Sequence, residues 1–182
     1  LAADYLSNGV TGVDIADDTR ALGLEEYARP MAWARANGLG VTIHAGEAEG
    51  PSSVKVAVEQ LGATRIGHGV RAIEDDRVVK MLVDRGTLLE VCPTSNVHTQ
   101  AAPSVREHPL PRLIERGVSV CLNTDDPGIS SITLTGEYVL VEEAFELSRA
   151  DLALMNVRAA RHAFASDEQR AALMERLGES AS

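Results

Sequence analysis

The stretch Val41-Thr42-Ile43-His44-Ala45-Gly46-Glu47 (VTIHAGE) decides how the rest of the chain is interpreted. Its apolar start predicts a buried strand, and that strand ends in a histidine, two small residues and a glutamate. A potential metal ligand and a potential general acid therefore lie together where a strand gives way to a loop, and the small residues between them allow a sharp turn. Taken alone, a histidine at a strand end is more often a structural residue, but the same arrangement recurs downstream.

Short apolar runs alternate with helical patterns along the whole chain. The predicted strands cover residues 10–16, 41–44, 65–67, 87–91 and 118–122. The predicted helices cover residues 24–37, 54–61, 74–85 and 110–116 and most of the chain from about 135, while 92–107 reads as a polar loop. Ser52 or Ser53 is expected to cap the second helix. Alternation at this spacing predicts βαβ units and a parallel sheet, and continuous apolar runs predict that both faces of the sheet are covered.

Each predicted strand is followed by polar residues at its C-terminal end. These residues are, strand by strand, Asp17 and Asp18, His44 and Glu47, His68, Ser95 and Asn96, and Asp125 and Asp126. Parallel strands place all their carboxyl ends on one face of the sheet, which is where barrel enzymes build their active sites. The coincidence of these residues at equivalent positions is a stronger signal than any one of them.

Structural explanations compete with functional ones at each position. His68 lies between Gly67 and Gly69, which favours close approach of a ligand over a purely structural histidine. The pair Asp125-Asp126 is compatible with a plain turn, but adjacent acids repel each other unless a cation or hydrogen-bond donors neutralise them. Asn96 is equally compatible with a turn and with a site.

The remaining polar and sulfur-containing candidates favour a structural interpretation. Asp17-Asp18 is interpreted first as a helix cap. The other three histidines are interpreted as loop or surface residues, and both cysteines as small core residues. The residues concerned are His98, His108, His162, Cys92 and Cys121.

Imidazole and carboxylate groups together suit a catalytic zinc or iron with an open position for water. Such a metal lowers the pKa of the water and produces a nucleophile at neutral pH. Glu47 is a candidate acid if partial burial raises its pKa, and His68 is a candidate for orienting or deprotonating the water.

Composition restricts the broad class of the protein. The chain has 182 residues, 45% of them hydrophobic, 24% charged and 3% aromatic, which is enough for one domain with an aliphatic core. The net charge of −10 argues against binding to nucleic acid or to an anionic membrane. No apolar run approaches the roughly 20 residues of a membrane span. Two cysteines without CxxC spacing make no disulfide framework, so we expect a cytoplasmic setting.

Four motifs in this order resemble the adenosine/AMP deaminase family. The motifs are His44-Ala-Gly-Glu47, Gly67-His68-Gly69, Cys92-Pro-Thr-Ser-Asn96 and Asn123-Thr-Asp-Asp-Pro127. The resemblance implies an α/β fold, a (β/α)8 TIM barrel of the metal-dependent amidohydrolase type, which hydrolyses the 6-amino group of a purine and releases ammonia. Residues 1–182 would form a single domain holding roughly the last five β/α units and the C-terminal helices.

The resemblance also implies roles at the matching positions. His44 and Asp125 would be ligands of one zinc ion. Glu47 would donate a proton to the purine N1 atom, and His68 would position and help deprotonate the attacking water. Asp126 would hydrogen-bond to purine N7.

The sequence differs from the family pattern in two places, and each difference leads to a further prediction. The family takes two further zinc ligands from a His-x-His on the first barrel strand, and no His-x-His occurs here. We therefore expect two more histidine ligands and three strands outside this sequence, supplied by an N-terminal segment of the same or a second chain; failing that, two copies would pair edge to edge. Asp17 stands where the family has a glycine beside the purine ring, which makes it a candidate substrate-binding residue and leaves the exact purine open.

Two alternatives to a purine deaminase remain open at this point. One is a truncated or degenerate homologue that binds a ligand or partner without catalysis. The other is an amidohydrolase of the same fold that acts on another amine-bearing ring or on an ester. All three hypotheses share one fold, so only the residues of the site and the substrate can distinguish between them.

Overall fold

Five parallel strands form one sheet in the order of the sequence. A computed structural model describes residues 1–16 and 23–178. The strands are β1 (Gly12–Ile15), β2 (Gly40–Ala45), β3 (Arg65–His68), β4 (Leu88–Val91) and β5 (Ser119–Leu122). The order β1-β2-β3-β4-β5, with a helical crossover between neighbours, is that of successive β/α units in a barrel wall.

Helices follow every described strand. They are α1 (Ala28–Ala36), α2 (Pro51–Glu59), α3 (Asp76–Arg85), α4 (Pro93–His98), α5 (Leu110–Glu115), α6 (Pro127–Ser130), α7 (Leu134–Phe145), α8 (Arg149–Arg161) and α9 (Asp167–Arg176). Short 3-10 segments cover Ala2–Asn8, Leu24–Tyr27 and Val70–Glu74. None of the described helices combines the length and apolarity that a membrane span requires.

Local sequence explains where several helices begin and end. The predicted helix over residues 24–37 divides into a 3-10 turn and α1, and Pro30 lies in the first turn of α1, where its missing N–H is tolerated. Asp75 caps α3 by accepting from the N–H of Arg77, and Gly86 ends that helix with a φ of 62°. Ser166 caps α9 with a capping box, in which its side chain and that of Gln169 each accept from the backbone of the other.

Two local predictions are wrong. Residues 93–98, expected to be loop, form α4, because Pro93 starts a helix readily at its first position. The cap of α2 is Gly50 and neither serine. Ser53 instead accepts from the N–H of Gly46 at 2.9 Å and donates to the carbonyl of Gly50 at 2.8 Å, which fixes the turn after His44.

Along each strand, apolar side chains on one face alternate with mostly polar side chains on the other. The prediction of strands that are apolar throughout is therefore wrong. Odd-numbered residues of β2, such as Val41 and Ile43, pack in the core against the helices. Their even-numbered neighbours Thr42 and His44 point to the opposite face, because side chains alternate along a strand. By the strand register that inner face also carries Asp14, Arg65, Gly67, Glu90 and Cys121. A polar inner face is what the interior of an enzyme barrel needs near its mouth.

The ring of Phe164 covers the inner face of the sheet at the amino ends of β1 and β2. Phe164, between α8 and α9, lies against Gly12 of β1 and Gly40 of β2, where an added Cβ would come within 2.5 Å and 2.4 Å of its ring. The guanidinium of Arg65 stacks 3.8 Å from the ring centroid. Both glycines are therefore needed for close packing.

Candidate active site

The carboxyl ends of the strands bring three of the predicted residues together. His44 ends β2, His68 ends β3, and Asp125 follows β5. One potential ligand atom from each lies within 4.8 Å of the others. The parallel sheet thus gathers into one cluster residues that lie far apart in the sequence.

His44 is oriented by a residue that the sequence analysis missed. The Oδ2 atom of Asp14, on β1, lies 3.3 Å from Nδ1 of His44, and this carboxylate raises the pKa of His44 above its ordinary value. Gly67 makes room for the ring, since a Cβ there would come within 2.9 Å of the same nitrogen. The ring therefore presents Nε2 as its free metal-binding atom, in the carboxylate–histidine arrangement common at zinc sites.

His68 is the most enclosed member of the cluster. It is 1% exposed and its φ of 63° lies in the left-handed region, which few non-glycine residues adopt. Nε2 of His68 lies 3.3 Å from Oε2 of Glu47 and 3.9 Å from Oδ2 of Asp125. Burial lowers the pKa of His68, although the Glu47 carboxylate partly opposes this effect. The ring is thus favoured in its neutral form.

The glycines beside His68 make room for neighbouring side chains of the protein. Gly67 admits the ring of His44, as described above. Gly69 has a φ of 69° and packs so closely on Leu89 that an added Cβ would come within 2.5 Å. Protein side chains therefore make close approaches at both glycines, and approach of a ligand to His68 stays a prediction.

Two hydroxyl groups fix the carboxylates. Thr99, just after α4, donates through Oγ1 to Oε1 of Glu47 at 2.8 Å. Ser95 of α4 donates through Oγ to Oδ2 of Asp125 at 2.6 Å. Asp125 has a φ of 58°, so both it and His68 hold strained backbone conformations, as residues at functional sites often do. Helix α4 is therefore an essential support of the cluster.

Asn96, which the sequence left undecided, is fully buried at 0% exposure. It contacts Nδ1 of His68 at 3.0 Å through Nδ2 and Nε2 of His108 at 3.1 Å through Oδ1. The prediction that His108 is a loop or surface residue is wrong: it is 3% exposed, and burial lowers its pKa to about 4. Sequence carries only a weak signal for this pair, because the Pro-rich stretch around His108 resembles an exposed turn.

The other predicted residues fall into three groups. Asp126 is exposed, beside Asp125 at the start of α6, and its side chain makes no cap hydrogen bond. Asp17 lies outside the described residues, together with Asp18. Cys92 and Cys121 are free and buried, as predicted for core residues, and burial raises the pKa of both thiols, to about 12 for Cys121.

The donor set fits a zinc ion. His44 offers an imidazole nitrogen and Asp125 a carboxylate oxygen within 4.8 Å of each other, beside the ring of His68, and mixed nitrogen and oxygen ligands are those of catalytic zinc sites. Asp14 accepts a hydrogen bond from Nδ1 of His44, and Ser95 donates one to Asp125; these are the outer contacts that orient metal ligands.

The parallel β/α wall and the polar cluster at its carboxyl end are typical of metal-dependent hydrolases built on a barrel. The profile of the family described as adenosine deaminase matches residues 1–180, so the chain belongs to that family. It is 44% identical over 180 residues to an adenine deaminase of Rhizobium leguminosarum bv. trifolii, covering 97% of this chain and 56% of the relative. It is 38% identical over 169 residues to an adenosine deaminase of Klebsiella pneumoniae, covering 93% and 51%.

A solved structure agrees with the fold. The crystal structure of an adenine deaminase from Arthrobacter aurescens superimposes with a TM-score of 0.88 at 30% identity, covering 97% of this chain and 56% of that one. The fold prediction, an amidohydrolase-type α/β barrel represented by part of its β/α units, is thereby confirmed. The chain spans about half the length of the curated relatives it matches.

Proposed function

We propose that this chain carries half of the active site of an enzyme that hydrolyses the 6-amino group of an aminopurine and releases ammonia. The convergence of His44 and Asp125 with Glu47 and His68 at the mouth of the barrel carries this proposal. Family membership supports the reaction class, and the relatives named above make adenine and adenosine the first substrates to test.

His44 and Asp125 would hold a zinc ion through Nε2 and a carboxylate oxygen. A bound zinc would supply a water of lowered pKa, which is the nucleophile that hydrolytic deamination needs. Ser95 would keep the Asp125 carboxylate oriented, and Asp14 would do the same for His44. Two further histidine ligands are expected from residues outside this sequence.

Glu47 would donate a proton to a ring nitrogen of the purine, which makes the carbon that bears the amino group more electrophilic. Its position supports this role, because Oε2 lies 3.3 Å from His68 and Thr99 holds Oε1, so the carboxyl group has a fixed direction. His68 would position the attacking water. Asp126, exposed beside the cluster, and Asp17 would contact the purine.

Additional strands would complete the barrel as one domain. Within the described residues, β1 pairs only with β2 and β5 only with β4, so each has one unpaired edge. Ile129 and Leu134, in the segment that follows β5, expose 83% and 46% of their surface. Open edges and exposed apolar side chains support association with an N-terminal barrel segment, in the same polypeptide or a second one, or with another copy. A cytoplasmic location stays a prediction.

The test is ammonia release by the full polypeptide that contains these residues, with adenine, adenosine, deoxyadenosine and AMP offered separately. We expect bound zinc and turnover of at least one of these purines. Asp125→Asn should lose both zinc and turnover, whereas Asp84→Asn, an exposed residue paired with Lys80, should keep both. A protein that binds zinc but releases no ammonia from any of the four would overturn the proposal.

A further inference from the structure

Four groups in a row form a hydrogen-bonded chain behind His68. The backbone N–H of Leu110 donates to Nδ1 of His108 at 3.1 Å. Nε2 of His108 lies 3.1 Å from Oδ1 of Asn96, and Nδ2 of Asn96 lies 3.0 Å from Nδ1 of His68. All four residues are buried, with at most 3% exposure, so water does not compete for these contacts.

The direction of every hydrogen bond in this chain follows from its first member. A backbone N–H can only donate, so Nδ1 of His108 must be the unprotonated nitrogen. The proton of the neutral His108 ring is then on Nε2, where it is donated to the amide oxygen of Asn96. The amide NH2 of Asn96 consequently faces His68 and donates to Nδ1 of that ring.

We propose that Asn96 and His108 are positioning residues that hold His68 as the tautomer with its proton on Nε2. This inference concerns the same site as the proposed function and rests on it for its catalytic meaning, but the tautomer itself is a property of the fold. The Nε2 proton points at the mouth of the barrel, towards Oε2 of Glu47 at 3.3 Å and Oδ2 of Asp125 at 3.9 Å.

This tautomer excludes two roles for His68, that of a metal ligand and that of a general base. A protonated Nε2 has no lone pair, so His68 is not a metal ligand although its ring belongs to the same cluster as His44 and Asp125. Nor can that nitrogen accept a proton from water, while Nδ1 is occupied by Asn96. His68 therefore acts as a hydrogen-bond donor that orients the water and stabilises negative charge on its oxygen, and not as the base.

The test is nitrogen-15 NMR of the histidine rings in the full polypeptide at pH 7, with and without zinc, since long-range couplings identify which ring nitrogen carries the proton. We expect His68 and His108 both to show the Nε2–H tautomer. A His68 ring with its proton on Nδ1, or a doubly protonated one, would overturn the inference. This result does not depend on turnover, so it is separate from failure of the proposed function.

A substitution at Asn96 tests the cause. Asn96→Asp is nearly isosteric but replaces the donor with an acceptor, so Nδ1 of His68 should become protonated. We expect kcat to fall by about 100-fold or more with little change in KM. Asn156→Asp, an exposed residue that accepts from Tyr138, is the matched control and should leave both unchanged. Retention of the Nε2–H tautomer in a folded Asn96→Asp protein would contradict the positioning role.

Discussion

The Oδ2 atom of Asp14 lies 3.3 Å from Nδ1 of His44, joining the first two strands of the sheet at the point where the site begins. The contact leaves Nε2 of the imidazole free to face the mouth. A single acidic residue in an otherwise apolar strand thereby determines how a candidate metal ligand is presented.

Removing this partner should weaken metal binding. We expect Asp14→Ala to lower the affinity for zinc by about 10- to 100-fold, because the ring loses its fixed orientation and some of its basicity. Competition with a chelator of known affinity measures the change. Asp4→Ala, which alters an exposed carboxylate on the 3-10 segment Ala2–Asn8, is the control. Equal affinities for the two variants would show that Asp14 does not support the ligand.

Glu47→Gln should retain zinc and lose most turnover. Its Oε1 can still accept from Thr99, so the side chain keeps its place, but an amide cannot supply the proton. We expect kcat to fall by about 10²- to 10⁴-fold, measured as ammonia release beside metal content. Glu59→Gln changes an exposed residue paired with Lys55 and should behave as the parent protein. Unchanged turnover in Glu47→Gln would remove Glu47 from the acid role.

A buried carboxylate on α7 anchors the helix that supports the site. Glu137, 1% exposed, accepts from the backbone N–H of Thr94 at 2.9 Å and from the hydroxyl of the same residue. Glu137→Ala should cost about 2–3 kcal/mol in the free energy of unfolding, since it leaves a buried donor unpaired and opens a cavity. Denaturant titration measures this cost. Glu142→Ala, on the same helix in an exposed pair with Arg149, should change it by less than about 1 kcal/mol.

Acid should destabilise the protein through His108. Its pKa in the folded state is about 4, below the ordinary 6.5, because burial disfavours the charged ring. As pH falls from about 6.5 to 4, the unfolded chain binds a proton that the folded chain does not, so stability is lost over that window and is fully present above it. The contribution is about 3 kcal/mol.

A comparison with His108→Gln isolates this contribution from that of the carboxyl groups. The variant should be less stable than the parent at pH 7, but its free energy of unfolding should fall less between pH 7 and pH 4.5. Parallel pH profiles for the two proteins would show that His108 is not the group responsible.

Sequence was sufficient for the parts of the site that stand at strand ends. His44, His68 and Asp125 are brought together because parallel strands share one carboxyl edge, and that rule needs only the order of the elements. Their supports were not predictable in the same way. Asp14 faces inward because of the period of β1, and its partner depends on the register with β2, which no local pattern specifies.

The buried chain behind His68 shows a second limit. Cys92-Pro-Thr-Ser-Asn96 was interpreted as the start of a loop, since proline and polar residues are typical of turns, yet Pro93 begins α4 and turns Asn96 inward. His108 lies among prolines in the sequence but is buried by tertiary packing. Burial of polar residues is decided by partners distant in sequence, so their roles emerged only with the fold.

The packing of Phe164 on two glycines predicts a strong coupling. Gly40→Ala should cost about 1–3 kcal/mol, because the new methyl group would overlap a ring that is held from several sides. Phe164→Leu in the same protein should recover part of this loss, and a double-mutant cycle on the free energy of unfolding measures the coupling. Simple additivity of the two substitutions would show that the ring can move aside.

The position of Phe164 also bears on synthesis of the chain. Phe164, which covers the amino end of the inner face beneath β1 and β2, leaves the ribosome after all five described strands. Strands β1 and β2 can therefore pair before this contact forms. Such a distant closing contact slows folding, since a long loop must be ordered before it forms. Nascent chains stalled before Phe164 should therefore be captured by chaperones more readily than chains stalled after α9.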